Sequence, residues 1–558
     1  MKDSQPARFE RIFLAGRRPF FWIAIVGFVI YFQVVFFGFH YFDDNAIILE
    51  NFPFIKNLSN FFMPFFEKIP PAPGYYRPLY AASFIIDAQL GGTSPVVYHL
   101  TNVFWHVIAS CLVFLVISKL NYPRILAFFS SLIFTVHPAL SLAVGVIAGR
   151  NDLMVTVFIL SSFLFFLSYL EDRKWKAYFL HILFFLLALF SKEIAIFLPL
   201  VCIVYLRLIA KKRFFLHEEK SLFVGWIVLL GIWFLLRQRV VSDSGAIQPA
   251  EAVGSLYLNL PALFLYLGKV FFPVDLKVFP TLENSTLFWG VGTIAVLVLL
   301  ISVTKIKRVG YIIFGAVWFL AFLVPPLAFV NPKFTTSFGF MDHRIYLPFL
   351  GFIILMLETD ITKKLDFSKR YSAISVFIIL ATLALITHKH TRIFKDAISF
   401  WKNAVEAMPY STYTHRGLGV AYQVTGFTGE AIGEYNTTLK LNPNEPKVHN
   451  NLGTIYQTKG LLEMAESEYK KELEINPEFD ATYFHLGSLY YQQKRFKEAE
   501  EMWIKAIEIN PEYILAYRNL AVFYYEQKDY SNALRYYNEM QKRGVRDPKL
   551  LKSIESLK

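Results

Sequence analysis

The stretch Leu452–Pro477, LGTIYQTKGLLEMAESEYKKELEINP, sets a pattern that returns along the C-terminal part of the chain every 34 residues. Leu418, Leu452, Leu486 and Leu520 head the copies, followed by Gly419, Gly453, Gly487 and Ala521 and then by Tyr422, Tyr456, Tyr490 and Tyr524. In the second half of each copy, Ala431, Ala465, Ala499 and Ala533 put a small residue where two helices approach closely, and Pro443, Pro477 and Pro511 punctuate the ends. A period of this length is one helix pair, which cannot bury its apolar face alone and must stack on its neighbours. Ala397, Trp401 and Pro409 fit one period earlier, so a half repeat precedes four full ones.

That period is the one of tetratricopeptide (TPR) helix pairs, whose concave face takes peptides or proteins. Upstream, the composition is of another kind. Of 558 residues, 55% are apolar and 18% aromatic, and the mean hydropathy is +0.41, which excludes an ordinary soluble assembly. A bilayer core of ~30 Å needs about 20 apolar residues per helix. Runs at 19–38, 99–119, 125–148, 152–170, 177–190, 193–210, 221–237, 287–303, 309–330, 345–359 and 371–387 meet or approach that, which predicts about 11 spans. The run 255–273 contains or adjoins Pro261, Lys269 and Pro273, and is expected to be re-entrant or interfacial. The first span follows basic residues but lacks a small-residue cleavage signature, and reads as uncleaved. The fold class is all-α: a short N-terminus at 1–18, a polytopic domain at 19–390 with its first external loop at 39–98, and a TPR solenoid at 391–558.

The formal charge of +13 is carried by short runs between apolar segments, where topology and anionic headgroups explain it and no nucleic-acid partner is implied. Arg8, Arg11, Arg17 and Arg18 place the N-terminus in the cytoplasm. The same rule keeps inside Lys119 with Arg124, Arg173 with Lys174 and Lys176, the run Lys211 to Arg213, and Lys305 with Lys307 and Arg308. Each conspicuous polar cluster then falls on the opposite face: Asp43 with Asp44, Tyr76 to Leu79, Gly149 to Asp152, Ser191 to Glu193, and Asp342 to Arg344. Scattered structural charges have no reason to share a side, whereas a site does. Cys111 and Cys202 sit alone in apolar runs, which gives neither a disulfide framework nor metal-ligand spacing.

The polar motifs occur in a fixed order. His40-Tyr41-Phe42-Asp43-Asp44-Asn45 comes first, then Tyr76-Arg77-Pro78-Leu79, then Tyr98-His99-Leu100 with Asn102 and His106. His137-Pro138 and Ala148-Gly149-Arg150-Asn151-Asp152-Leu153 follow, then Ser191-Lys192-Glu193, and last Asp342-His343-Arg344-Ile345-Tyr346-Leu347-Pro348 ahead of the repeats. With the TPR array behind them, these motifs resemble the TMTC family of protein O-mannosyltransferases, which looks like a branch of the GT-C glycosyltransferases. The resemblance implies a GT-C-type membrane domain and an inverting transfer from a polyprenyl- or dolichyl-phosphate-linked sugar, with no cofactor. It makes Asp43 the general base and Asp44 its partner or alternate, with Arg77, Arg150, Lys192 and Arg344 on the donor phosphate. Supporting parts fall to His99, Asn102, His106, His137, Asp152, Glu193, Asp342 and His343. Two departures stand out: the stretch Ala139-Leu140-Ser141-Leu142-Ala143 lacks the acidic residue usual after the His-Pro pair, and the array is short.

The residue types suit such a transfer, which needs a base at the acceptor hydroxyl, cations at the leaving phosphate and partial exclusion of water. Plainer readings exist for single residues. His99 and His106 share a helix face and could make packing hydrogen bonds, His137 could cap a helix end, Lys192 and Glu193 could form an ion pair, and Asp43 with Asp44 could cap a helix. The two adjacent carboxylates could hold a divalent cation, but no metal is predicted. The expected function is hexose transfer, with mannose a candidate, to a hydroxyl of a polypeptide recruited by the TPR domain. The alternatives are transfer to an envelope glycan or lipid-linked saccharide, and a membrane scaffold without catalysis. The composition leans toward a bacterial inner membrane with the active face in the periplasm, with the endoplasmic reticulum as the eukaryotic counterpart.

Overall fold

The computed structural model describes residues 10–67, 75–212, 219–241, 249–305, 308–329, 340–367, 369–543 and 547–556. The regular elements among them are helices, and the chain divides into two compact units, Met1–Met408 and Pro409–Lys558.

In the first unit each expected span contains a helix, but their lengths differ. Among the described residues six helices are long and apolar enough to cross a bilayer: Arg18–Phe36, Pro95–Lys119, Ile147–Asp172, Lys220–Val240, Val309–Ala328 and Tyr371–Phe394. Two bent pairs raise the number to eight: Arg124–Val136 with Pro138–Gly145, bent by 56°, and Ala250–Asn259 with Ala262–Phe271, bent by 46°. Pro138 and Pro261 lie at the two bends, where the missing N–H and the ring clash break the helical ladder. The second pair covers the run expected to be re-entrant. Trp175–Leu189 and Phe288–Val303 are apolar but shorter, and Leu198–Leu208 and Phe349–Leu357 have only 11 and 9 residues, short of ~30 Å at ~1.5 Å per residue. The protein is thus a multi-pass membrane protein with an approximate span count. Arg8, Arg213, Lys307 and position 330, used in the topological reading, lie outside the described residues.

The long helices wear their apolar residues outward. On Pro95–Lys119 the buried side carries Tyr98, Asn102, His106, Ala109 and Val113, while Phe104, Ile108 and Leu115 are exposed. On Lys220–Val240 Leu222, Trp226, Leu229 and Trp233 face inward and Val224, Ile227, Val228 and Leu235 outward. Hydrocarbon tails are as apolar as the core, so an apolar outer face carries no penalty there, and polar groups gather where other helices satisfy them.

The second unit consists of four helix pairs: Thr412–Val424 with Thr428–Leu441, Val448–Thr458 with Leu462–Ile475, Asp480–Gln492 with Phe496–Ile509, and Ile514–Glu526 with Tyr530–Lys542. Pro548–Glu555 closes the array. The repeated glycines permit the tight pairing: a Cβ on Gly453 would stand 2.6 Å from the Tyr469 ring. The half repeat lies elsewhere. Its helix, Ala397–Ala407, belongs to the first unit, so the division falls at 408/409 and not at 390/391.

Candidate active site

Past the first span, the chain turns sharply at 37–44. Tyr41 takes a left-handed φ of +54°, a conformation that costs roughly 1–2 kcal/mol per residue. Asp44 holds the turn. Its buried carboxylate accepts from the His40 amide at 2.6 Å and the Phe42 amide at 3.1 Å, and His40 Nδ1 lies 3.6 Å away. Both oxygens thereby accept backbone amides, unlike the partner or alternate base expected of Asp44. Asp43 is different. Among the described residues its carboxylate makes no hydrogen bond or ion pair, and it stays open to solvent. Yet the protein mass around it, reinforced by Asp44 and opposed by Arg77, raises its pKa to about 6. A carboxylate so tuned is matched to proton abstraction near neutral pH.

Pro78 starts the helix Pro78–Gly91 with its ring preset for the first turn, and the Leu79 amide donates to the Phe190 carbonyl at 3.1 Å. That bond brings Arg77 to the 191–193 turn. The Arg77 guanidinium forks onto Glu193, Nε to both oxygens at 3.1 Å and one terminal nitrogen at 2.9 Å, and lies 4.3 Å over the Tyr75 ring. Lys192, at the same turn, is buried and donates to both oxygens of Asp152 at 2.7 Å and to Asn151 at 3.3 Å. Burial pulls its ammonium pKa down against the pull of Asp152. His343 Nε2 stands 3.9 Å from Asp152, and burial lowers the His343 pKa to about 3, so the ring is neutral at physiological pH. Arg344, beside it, is partly exposed and lies within electrostatic reach of His343 and the Tyr266 hydroxyl. Asp342 is buried against Lys269 at 2.5 Å.

Asp43, Arg77, Lys192, Asp152 and Arg344, with the neutral His343 among them, thus form one connected polar set. Arg150 does not face it as a phosphate ligand, contrary to expectation. It is fully buried, with Nε on Asn102 at 2.9 Å, one terminal nitrogen on Ser83 at 3.2 Å, and the other on the Tyr98 carbonyl at 2.9 Å and Asp87 at 2.5 Å. Its plane covers the Phe84 ring at 4.3 Å. This guanidinium ties three helices together. Lys192, too deep and doubly held by Asp152, is likewise a strut. Asn102 also donates to the Val146 carbonyl at 3.1 Å. The plainer reading holds for two histidines. His106 donates from Nε2 to the Thr135 carbonyl at 2.9 Å and accepts from the Tyr346 hydroxyl at 2.6 Å, and His137 donates to the Val270 carbonyl at 3.0 Å. His99 packs edge-on to Phe37 and His40.

Known families match parts of this chain. The family model described as dolichyl-phosphate-mannose-protein mannosyltransferase matches residues 77–236, from Arg77 through Lys192 and Glu193, and tetratricopeptide models match 446–479 and 478–541. Among curated proteins, protein O-mannosyl-transferase Tmtc1 of Drosophila melanogaster is 36% identical over 183 residues, 32% of this chain and 21% of its own length. A Caenorhabditis elegans protein O-mannosyl-transferase is 26% identical over 64% of this chain and 53% of its own, and human TMTC3 25% identical over 73% and 51%. The chain is similar to these TMTC protein O-mannosyl-transferases over part of its length. It spans about half the length, or less, of the curated relatives it matches.

Four residues were not singled out from sequence as parts of the site: Asp87, Lys269, Tyr80 and Tyr266. Asp87 accepts from Thr101 at 2.9 Å besides pairing with Arg150, and the Tyr80 hydroxyl donates to the Ala148 carbonyl at 3.2 Å while lying within reach of Asp43, Arg77 and Asp152. A lone ionisable residue in an apolar run is the signal that could have found Asp87 and Lys269; the tyrosines carry none.

Proposed function

We propose that the chain transfers a hexose, mannose first among the candidates, from a polyprenyl- or dolichyl-phosphate carrier to a hydroxyl of a polypeptide on the non-cytoplasmic side of its membrane. The observation that carries the reading is Asp43, an accessible carboxylate with no hydrogen-bond partner among the described residues, its pKa raised by burial and Asp44 against the nearby Arg77. In the proposed step Asp43 takes the acceptor proton, the hydroxyl oxygen bonds to the anomeric carbon with inversion, and the carrier phosphate leaves with the electron pair of the broken glycosidic bond. Arg344 and Arg77, the two partly exposed cations of the cluster, stabilise the departing phosphate, since a guanidinium binds phosphate oxygens in pairs. Lys192, Asp152 and Asp342 fix the frame around them. The TPR array recruits the polypeptide. The relatives' names support the chemistry, because they are protein O-mannosyl-transferases.

The test is label transfer from radiolabelled polyprenyl-phosphate mannose and glucose in membranes carrying the wild-type chain or Asp43→Asn. Label on protein with wild type alone is the expected result, and label on glycan instead would change the acceptor. Equal label with both proteins would remove Asp43 from the mechanism and favour a scaffold.

A further inference from the structure

The repeats share a rule that Trp401 obeys in an unusual way. On the second helix of each pair, Tyr435, Tyr469, Trp503 and Tyr537 recur at the 34-residue period and are buried. The first three rings cover the glycine of their own first helix, Tyr435 at Gly419, Tyr469 at Gly453 and Trp503 at Gly487, and Trp503 Nε1 donates to the Phe484 carbonyl on that helix at 3.2 Å. Trp401 stands one period before Tyr435 and three before Trp503, on a half repeat whose first-helix positions belong to the membrane span Arg370–Thr391, which does not pair with it. Its indole nonetheless makes the same kind of bond, with Nε1 donating to the His40 carbonyl at 2.9 Å.

The active-site turn therefore occupies the missing place. Trp401 and Phe400 lie 6.1 and 5.8 Å from the Phe42 ring, and Phe400 lies 5.1 Å from His40. The turn is tied at its other end as well: the Gly38 amide donates to the Lys395 carbonyl at 2.9 Å and His40 Nε2 to the Phe394 carbonyl at 2.7 Å. The half-repeat helix is itself anchored, with Asn403 accepting from the Val278 amide at 3.1 Å and Asn284 donating to the Ala407 carbonyl at 3.2 Å. We infer that segment 38–44 completes the first half repeat in the place a paired first helix would take, and that Trp401, through the His40 carbonyl, is a positioning residue for Asp43. This rests on the transfer reaction proposed above. The repeat grammar thus extends into the membrane unit, and the chain of the array departs from the helix that sets the base.

The test uses the full chain in detergent or nanodiscs and compares wild type with Trp401→Phe, which keeps a ring but loses the N–H. Two quantities are read: kinetics of sugar transfer, and hydrogen exchange of the backbone over 38–46. The expected result is a kcat lowered roughly fivefold, the size of one neutral hydrogen bond, with donor and acceptor KM unchanged and faster exchange over 38–46. Trp503→Phe, the same change within the array, leaves that exchange as in wild type. Phe400→Leu, which removes the second ring from the turn, reproduces the kcat loss should Trp401→Phe fold poorly. Wild-type kcat and exchange in both Trp401→Phe and Phe400→Leu would overturn the inference. If the wild-type chain transfers no sugar, the transfer reading fails, and the exchange comparison alone decides whether the turn depends on Trp401.

Discussion

At the scale of single residues, the two adjacent aspartates divide their work by where their oxygens point. Asp44 satisfies two backbone amides and Asp43 satisfies none, so the two are not interchangeable. Asp43→Asn is expected to lower transfer at least about 100-fold, the usual scale for removing a general base, with protein abundance unchanged. Since the base must be deprotonated and its pKa is about 6, wild-type kcat/KM should be flat above that pH and fall about tenfold per unit below it. A rate profile without an acid limb between pH 5 and 7, on this ~1-unit logic, would argue for another base. Arg150 is assigned the opposite kind of role. Arg150→Met leaves Asp87 charged and buried without its cation, a loss of about 3–5 kcal/mol, to be read as a lower midpoint in a thermal melt of the purified protein. Adding Asp87→Leu should recover much of that loss, because the pair is then removed together. A phosphate ligand would behave otherwise, keeping stability and losing donor affinity.

At the scale of elements, the repeat geometry can be tested with two glycines. Gly453→Ala drives a methyl group to 2.6 Å from the Tyr469 ring, whose hydroxyl is fixed by Gln457 at 2.8 Å, and should destabilise the array by about 1–3 kcal/mol. Gly433, inside the helix Thr428–Leu441, has open space around its Cβ position, so Gly433→Ala should stabilise by about 0.5–1 kcal/mol. Circular dichroism melts of the two variants check both signs. The repeats were legible in sequence because the same residue types recur at the same phase, and local packing within a pair dictates them. Helix lengths in the membrane unit were less legible. An apolar run shows that a segment avoids water, but the bend at His137–Pro138 and the brevity of Phe349–Leu357 depend on neighbours. Ion-pair partners were least legible of all: nothing near Arg150 in sequence announces Asp87, and nothing near Asp342 announces Lys269, since tertiary packing alone joins them. The structure brings Asp43, Arg77, Asp152, Lys192, His343 and Arg344 of the motifs together and holds Arg150 apart, a division that needed the geometry of each oxygen and nitrogen.

At the scale of the whole molecule, charge distribution and topology make one joint claim. Short loops rich in Lys and Arg stay in the cytoplasm, so reporter fusions after Asn45 and after residue 558 should both report a non-cytoplasmic side. A cytoplasmic signal from either would put the base and the array on opposite sides and remove the polypeptide-acceptor reading. The +13 charge needs no nucleic-acid partner on this view, since short basic loops at the membrane surface account for it.

The Arg150 and Asp87 pair also bears on how the protein is made. Asp87 emerges from the ribosome about 60 residues before Arg150, which at ~5–20 residues per second is a wait of roughly 3–12 s. During that interval a carboxylate destined for a dry interior has no cation beside it. Until Arg150–Asp172 arrives, Asp87 is expected to stay hydrated or protonated, so that the helix Pro78–Gly91 takes its final place together with that later helix.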